Sequence, residues 1–408
     1  MNTLGERIRS LRKQRKLTLE ACAGEQMTKG MLSLIENNKA NPSIENLNYL
    51  AKRLEVELTE LWEDISGETL KALLDKAETL YKTEGEANYA KAIALIEPLL
   101  SKLTKGYEAA RLLEIYSRLS FNLNHKDWEV FAEKASAIYD ELNILPRQAA
   151  VGIFRALVLF IQHHYDEALD RLLQERKKVE EKSGYIDPLT KLDLDTYEVL
   201  FRFAVNDTEE ATRVLNETIA YSKKELIFYQ TGQLYRIAAY RAVIDGDEEM
   251  LAYYERKILE YGKFAEDRET IFFIELMRIH QLNSFKHQYE KALEKLDTMQ
   301  KLPEENAFFI NSARLERGKA LYGLGRYEEA LNLLEQVVIS EHLHHPFDLS
   351  IYYEKDAYAA LCAVKLGDLA TAMNLVEVAV ANISLMTETP YKQFVLQTAK
   401  DIQRQAAY

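Results

Sequence analysis

A short pattern of aromatic, small and branched residues recurs along most of this chain and restricts its fold more than any other feature. Its clearest copy, ARLERGKALYGLGRYEEALNLLEQVV, covers residues 313–338. Aligning the weaker copies on one small-residue position gives sites 37 to 43 residues apart: Ala92, Phe131, Ala168, Ala211, Leu251, Ala292, Ala330 and Ala372. A period of about 40 residues predicts a stack of similar units, none of which buries its apolar face alone.

The repeated unit resembles a tetratricopeptide repeat, a hairpin of two helices. Gly318 and Ala330 are small enough to let paired helices approach closely, and Tyr327 and Leu334 fill the space between hairpins. The period exceeds the roughly 34 residues of the standard unit, which predicts longer helices or connections. Only 15 glycines and 7 prolines occur in the chain, which favours long helices over a turn-rich β protein. We expect an all-α fold in which residues 76–408 form a right-handed tetratricopeptide-like α-solenoid of about eight hairpins.

The first helices of such hairpins line a concave groove that suits an extended peptide or a helix of another protein. The offsets within the motif predict which side chains face this groove. They are Tyr116, Tyr197, Gln233, Arg236, Tyr240, Met277, Gln281, Lys319, Tyr322 and Glu354. For each of them, ordinary packing or solvation within the repeats is the alternative.

Residues 1–65 differ from the rest of the chain in charge and pattern. The first 53 residues contain 10 Lys/Arg against 5 Asp/Glu, although the whole chain has a net charge of −13. A basic head on an acidic body predicts that only the head meets a polyanion. Apolar residues at helical spacing predict a five-helix head. The first helix is expected to end near Lys16, and the second and third to cover residues 19–23 and 28–37, with Gly24 at a tight turn between them. The fourth begins after Ser43, and Val56, Leu58 and Leu61 suit a fifth.

The segment LTLEACAGEQMTKGMLSLIENNKANPSIENLNYLAKRLEVELTELW resembles the phage-repressor-like helix-turn-helix family over almost the whole head. In that family the third helix enters the major groove of DNA. The resemblance places these residues at DNA: Thr18, Thr28, Lys29, Gly30, Met31, Ser33, Leu34, Asn37 and Lys39. Lys29 is the candidate for a guanine edge, because lysine can donate to O6 and N7. Thr18, Asn37 and Lys39 are expected at phosphates, which fix register but carry little sequence information.

The head departs from the family pattern in its hydrogen-bonding groups. Leu19 stands where relatives usually carry glutamine, which removes one expected DNA contact. The exposed face of the third helix also offers few polar groups, so apolar contact to thymine methyls or DNA shape is expected to contribute. Arg12 and Glu36 match positions that form an internal ion pair in relatives and are expected to be structural. The alternative to a DNA-binding head is a degenerate module that is retained for dimerisation or for contacts with other proteins.

Several function classes find no support in the sequence. No apolar run approaches the roughly 18 residues that span a bilayer, and no signal peptide is recognisable, so we expect a cytoplasmic protein with no membrane partner. No Gly-rich phosphate loop, GxSxG or HExxH motif occurs, so we expect no catalytic residue, no metal and no cofactor. His342, His344 and His345 precede Pro346 and favour an inter-repeat loop over a metal site. The two cysteines, far apart in sequence, are expected to be lone core thiols.

The combination of head and degenerate repeats resembles the peptide-pheromone-responsive regulators of Gram-positive bacteria and their phages, often named for Rgg, Rap, NprR, PlcR and PrgX. The resemblance implies a transcription regulator that binds a two-part double-stranded DNA operator as a homodimer. It also implies a short signalling peptide in the groove that changes the spacing or stability of the heads. Residues 66–75 are then the linker and the start of the first repeat helix, with a hinge at Asp64–Gly67. Asparagines available to hold a peptide backbone are Asn122, Asn206, Asn283 and Asn311.

Two other functions stay open from the sequence. The solenoid suits a protein-interaction scaffold, for instance one that sequesters a response regulator, with the head secondary. The third hypothesis is an enzyme, such as a phosphatase that acts on a bound partner, although the sequence offers it no active site.

Overall fold

The computed structural model describes residues 3–56, 58–61, 67–83, 85–299 and 306–406. Across these ranges the chain is all-α, with one short 3-10 helix at Glu97–Lys102 and no strand. Contacts divide the chain into two compact units, Met1–Arg155 and Ala156–Tyr408. The predicted all-α class is therefore confirmed.

The head contains the five predicted helices: α1 Leu4–Gln14, α2 Leu19–Ala23, α3 Lys29–Glu36, α4 Ile44–Arg53 and α5 Leu58–Leu61. The side chains of Thr3, Thr18, Thr28 and Ser43 cap the first four by accepting a backbone N–H. The first helix ends at Gln14, a little before the predicted end, because Lys16 adopts a left-handed conformation with φ of 56°. Ile8, Leu32 and Leu47 are fully enclosed in the centre of this module.

The rest of the first unit continues the apolar core of the head. Its helices are α6 Gly67–Lys82, α7 Glu86–Ile96, α8 Tyr107–Asn122, α9 Trp128–Glu141 and the first part of α10 Leu145–Ile161. Leu58 and Leu61 of the head belong to the same buried cluster as Leu73 of α6. The predicted hinge at Asp64–Gly67 lies outside the described residues except for Gly67, which begins α6, and it stays a prediction.

The second unit continues as antiparallel hairpins. Its helices after α10 are α11 Tyr165–Lys182, α12 Pro188–Ala204, α13 Thr208–Glu225, α14 Thr231–Asp245, α15 Glu248–Phe264, α16 Arg268–Ser284, α17 Tyr289–Thr298, α18 Ala307–Gly323, α19 Tyr327–Glu335, α20 Pro346–Lys365, α21 Leu369–Ser384 and α22 Pro390–Ala406. The last helix, α22, packs against both α20 and α21 and covers the end of this array, as a terminal cap of a repeat protein does.

The small-residue positions that set the sequence period lie inside the hairpins. All eight aligned sites are buried, and each falls in the second helix of one hairpin, from α7 to α21. A Cβ on Gly318 would lie 2.7 Å from Leu334 Cγ, so glycine is required where α18 meets α19. The long period follows from long helices, since α11 and α13 each have 18 residues. The tetratricopeptide-like hairpins predicted from the spacing are confirmed.

Candidate DNA interface and ligand cavity

The helix-turn-helix is built from α2, a turn and α3, and threonine caps fix both helix starts. Thr18 Oγ1 accepts the N–H of Ala21 at 3.1 Å, and Thr28 Oγ1 accepts the N–H of Met31 at 3.1 Å. A hydroxyl that accepts at its oxygen can still donate its own proton. Both threonines are exposed, so both hydroxyls are accessible to an external acceptor such as a phosphate oxygen.

The two faces of α3 are sharply different. Leu32 and Ile35 are buried in the head, whereas the Met31 and Leu34 side chains are 37% and 45% exposed. The remaining predicted DNA residues are exposed except for the half-buried Ser33; they are Lys29, Gly30, Asn37 and Lys39. Asn37 Nδ2 donates to Ser33 O at 2.7 Å, which leaves its side-chain oxygen available. The outer surface therefore combines a few cationic and amide groups with exposed apolar side chains.

A buried ion pair holds α3 against α1. Arg12 Nε lies 2.5 Å from Glu36 Oε1, and a second guanidinium nitrogen lies 2.8 Å from Glu36 Oε2. The same guanidinium donates to Leu17 O at 2.8 Å, which ties the end of α1 to the start of the α2 region. The hydrogen bonds that Arg12 donates to Glu36 raise the pKa of Arg12, against the effect of burial. The structural role expected for this pair is confirmed.

Two glycines of the head, Gly5 and Gly24, lie so close to a neighbouring helix that no side chain fits, and the sequence did not predict these contacts. A Cβ on Gly5 would clash with the carbonyl oxygen of Ile35, so α1 touches the end of α3 through backbone. Gly24 has a φ of +54°, and a Cβ there would overlap the hydroxyl of Tyr49. The Gly24 turn is visible in the sequence, but the partners of both glycines depend on how the helices pack.

The second unit encloses a cavity of about 520 Å³. It is bounded mainly by first helices of the hairpins, together with residues 387–389 ahead of α22 and Pro390 at its start. Side chains on its wall are Leu200, Phe203, Asn206, Gln233, Arg236, Ile237, Tyr240, Glu269, Phe273, Asn306, Phe308, Phe309, Phe347 and Asp348. This volume falls in the range of pockets that hold drug-sized ligands.

Aromatic rings form the inner part of this cavity. Tyr240 packs edge-on against Phe273 and against Phe347, with ring centroids 5.3 Å apart in both pairs. Phe308 packs against Phe309 at 5.3 Å in the same manner. The first two ring contacts join α14 to α16 and α20, and the third lies within α18, so the cavity has an apolar interior with polar groups at its edge.

The connection between α19 and α20 closes one side of the cavity. Tyr165 Oη donates to His344 O at 2.8 Å, and the His345 ring contacts α12. His345 Nδ1 accepts the N–H of Phe347 at 3.2 Å, so its Nε2 carries the proton and donates to Leu200 O at 3.2 Å. Burial lowers the pKa of His345 to about 4, consistent with a neutral ring. The loop predicted for the histidine cluster is confirmed, and no metal-binding group is found among the described residues.

The structure brings three of the predicted groove residues together at this cavity: Gln233, Arg236 and Tyr240. Four others are buried: Tyr116 in the first unit, and Met277, Lys319 and Glu354 in the second. Tyr197, Gln281 and Tyr322 are half-buried. Of the four asparagines considered for a peptide backbone, only Asn206 lies on the cavity wall, where Asn306 joins it unpredicted.

Five buried polar side chains of the second unit, from His280 to Tyr391, form a network next to the cavity. Lys319 Nζ lies 2.7 Å from Glu354 Oε2 and 3.4 Å from Glu316 Oε1. His280 Nδ1 lies 2.7 Å from Glu316 Oε1, and His280 Nε2 lies 2.9 Å from Tyr391 Oη. Charges removed from water are tolerated only when paired in this way, which explains why Lys319 and Glu354 point inward.

The comparison with protein families identifies the head. Residues 5–64 match the helix-turn-helix domain family, which covers all five helices of the head. A comparison with curated proteins gives no match. Separately, none of the described helices is both long and apolar enough to cross a membrane.

Three solved structures are similar to this chain. PlcR of Bacillus thuringiensis, in complex with the peptide PapR7 and DNA, shares 19% identity, with 72% of this chain and 99% of that one covered and a TM-score of 0.35. ComR from S. thermophilus, in complex with DNA and its signalling peptide ComS, shares 17% identity over 68% and 99% of the two chains, with a TM-score of 0.31. The pheromone receptor Rgg2 of Streptococcus dysgalactiae shares 15% identity over 67% and 98%, also with a TM-score of 0.31. The names PlcR and Rgg are those of the class that the sequence resembles, but identities and scores this low establish neither a function nor a ligand.

Proposed function

We propose that this protein is a DNA-binding transcription regulator whose cavity in the second unit binds a short peptide that modulates DNA binding. The observation that carries the proposal is the presence of two separate sites on one chain. Residues 5–64 are a helix-turn-helix domain, and the hairpins of the second unit enclose a cavity of about 520 Å³.

The DNA site is the outer face of α3 with its flanking groups. Lys29 contacts a base edge, while Thr18, Asn37 and Lys39 bind phosphates and set the register. Thr28, Gly30 and Ser33 line the helix start, and the exposed Met31 and Leu34 contact thymine methyls. With so few polar groups on this face, part of the specificity comes from DNA shape. A homodimer places two such heads on a two-part operator.

The size and lining of the cavity favour a short peptide over a folded partner protein. A stable protein–protein interface buries roughly 800 Å² on each partner, more surface than a partly open cavity of about 520 Å³ presents to a folded protein. A few peptide residues, in contrast, fit an aromatic interior with polar groups at its edge. Gln233 and Asn206 are suited to hydrogen bonds with a peptide backbone. A scaffold that sequesters a response regulator would use an exposed surface instead.

The first experiment is genome-wide DNA capture by the full-length protein at near-physiological salt. Wild type is compared with Lys29→Ala, and with Lys71→Ala as a matched loss of one exposed lysine on α6, outside residues 5–64. Wild type and Lys71→Ala are expected to recover a discrete, roughly two-fold symmetric site that Lys29→Ala loses. Capture that is blind to sequence in all three proteins would refute the regulator. Short peptides encoded near the recovered site are then tested for a change in affinity for that DNA.

A further inference from the structure

Three carboxylates line the ligand cavity, and they differ in their hydrogen-bond partners and in their exposure to water. Glu269 Oε1 accepts a hydrogen bond from Asn306 Nδ2 at 3.0 Å. Glu388 is exposed at the cavity edge. Asp348 lies on the cavity wall in the first turn of α20, half-buried, and within the described ranges no hydrogen bond or ion pair reaches it. Asp348 is therefore the carboxylate of this cavity that is both shielded in part from water and without a partner among the described residues.

The two arginines of the cavity each have an acid other than Asp348 nearby, although Arg236 Nε is buried without a hydrogen-bond partner in the described part of the chain. Arg241 makes two contacts with Asp245, of which Nε to Oδ2 measures 2.7 Å. Arg236 contacts the Thr270 hydroxyl, lies 3.9 Å from Asp267 and stacks over the Phe273 ring at 4.9 Å. Neither arginine compensates Asp348, so the cavity presents an excess of negative charge to its occupant.

The usual structural reason for an acid at a helix start does not account for Asp348. A carboxylate in the first turn can cap the free backbone N–H groups. Here the capping role is taken by His345, which accepts the N–H of Phe347. An unpaired buried carboxylate is costly, and burial raises the pKa of Asp348 to about 7, so the group is held partly protonated without a partner. A residue with such a cost and no internal contact is a candidate for ligand binding.

The space beside Asp348 fits a small cationic head group. A side pocket of about 40 Å³, bordered by Asp348, Tyr240, Phe273 and Phe308, adjoins the main cavity and shares these four residues with it. A site needs only roughly 10–15 Å³ to hold one water-sized group. Aromatic faces attract cations through their quadrupole, and a carboxylate next to them adds a direct charge.

We propose that the cavity selects a ligand with a protonated amine next to an apolar side chain, and that Asp348 accepts the hydrogen bond from the amine. The amine is the N-terminus or a lysine of the bound peptide, a reading that rests on the peptide-binding function proposed above. The adjacent side chain occupies the aromatic interior beside Phe347.

The test uses phenethylamine as the probe, with 2-phenylethanol and 3-phenylpropionate as neutral and anionic controls of similar shape. Binding to the full-length protein is measured by calorimetry or protein-detected NMR. The wild type is compared with Asp348→Asn and with Glu249→Gln, which removes an exposed carboxylate that does not line the cavity. We expect saturable, millimolar binding of phenethylamine to wild type and Glu249→Gln, weakened about tenfold or more in Asp348→Asn. The neutral control should bind more weakly, and the anionic one weakest.

Equal binding of all three probes, unchanged affinity in Asp348→Asn, or no saturable binding of the amine would each overturn the proposal. A preference for 3-phenylpropionate would also overturn it and would assign the anchoring role to Arg236. Because the probe experiment involves no DNA, its failure leaves the regulator function standing. Conversely, failure of the DNA capture experiment leaves the amine specificity of the cavity intact.

Discussion

Lys319 Nζ lies 2.7 Å from Glu354 Oε2, with both side chains enclosed in the second unit between α18 and α20. The same lysine lies 3.4 Å from Glu316 Oε1. Burial by itself would raise the pKa of Glu316, but Lys319 and His280 outweigh it, and the pKa is lowered to about 2. One ammonium group therefore compensates two buried carboxyl groups on neighbouring hairpins.

Replacing Lys319 by methionine is expected to destabilise the second unit by about 3–5 kcal/mol, because it strands buried carboxylates. The midpoint of urea unfolding, followed by circular dichroism, measures the change. In the double variant Lys319→Met/Glu354→Gln, part of the loss should be recovered. Lys177→Met removes a lysine from an exposed pair with Glu181 at 3.7 Å and should cost less than about 1 kcal/mol. Equal effects of Lys319→Met and Lys177→Met would contradict the network.

Alanine at two glycines of the head should have opposite effects on stability. A Cβ at Gly5 meets the backbone carbonyl of Ile35, so Gly5→Ala should destabilise the head by about 1–3 kcal/mol. A Cβ at Gly30 finds only Thr28 Oγ1, at 3.9 Å, so Gly30→Ala should stabilise α3 by up to about 1 kcal/mol through helix propensity. Thermal unfolding of each single variant of the full-length protein measures both changes in stability. A loss of stability in Gly30→Ala would show that the head packs differently.

Lys39→Ala should weaken binding to operator and non-operator DNA alike. The backbone N–H of Lys39 donates to Leu34 O at 2.8 Å, which fixes the chain while the ammonium group stays exposed. Loss of one phosphate contact should reduce the slope of log K against log salt by about 1. Affinities for both DNA types at several salt concentrations measure this, with Lys71→Ala as the control. A loss confined to the operator would instead indicate that Lys39 reads a base.

The stability of the second unit should depend on pH through Asp348. Burial raises the pKa of Asp348 from 3.8 to about 7, so the folded protein holds this proton to a higher pH than the unfolded chain does. Stability from this group is present at low pH and is lost as pH rises through about 7. Asp348→Asn abolishes that loss, so its stability relative to wild type should increase between pH 5 and pH 8.

Urea midpoints of both proteins at the two pH values test this, with Glu388→Gln as an exposed control whose effect should be small at both. Titratable and charged groups near Asp348 are Arg236, Tyr240, His280, Glu316, Tyr352 and Tyr391. The three phenols have raised pKa values and stay protonated throughout this range. A difference between wild type and Asp348→Asn that does not change with pH would show that Asp348 is not held away from water.

Local chemistry made the head readable from sequence. Ser43 precedes α4, and Ile8, Leu32 and Ile35 face inward, as the helical spacing predicted, and the Arg12–Glu36 pair lies where the resemblance to the repressor-like family placed it. Each of these features depends on neighbours within a turn of helix or on a module of about 60 residues, so little tertiary information is needed. The close contact of Gly5 with the end of α3 could not be predicted in this way, because a glycine within a helix does not by itself indicate which neighbour it approaches.

The cavity was far less predictable. The motif offsets identified first-helix residues correctly as a group, yet Met277 packs into the core, and Lys319 pairs with Glu354 across two hairpins. Small differences in packing from hairpin to hairpin decide whether a side chain at one offset meets solvent or its neighbour. Asp348 and His345 reach the cavity because the long connection before α20 folds back on α12, a contact separated by 145 residues in sequence.

The sequence by itself determined the helices, the hairpin period and the helix-turn-helix head, because these follow from helical spacing and from small residues at close contacts. Only the tertiary structure decided which charged side chains form ion pairs or hydrogen bonds and which remain without a partner. His280 and Tyr391, for example, meet across 111 residues of sequence. Charge pairing depends on distances between helices far apart in the chain, and no local pattern records those distances. That is why the network around Lys319 and the unpaired Asp348 emerge from the fold alone.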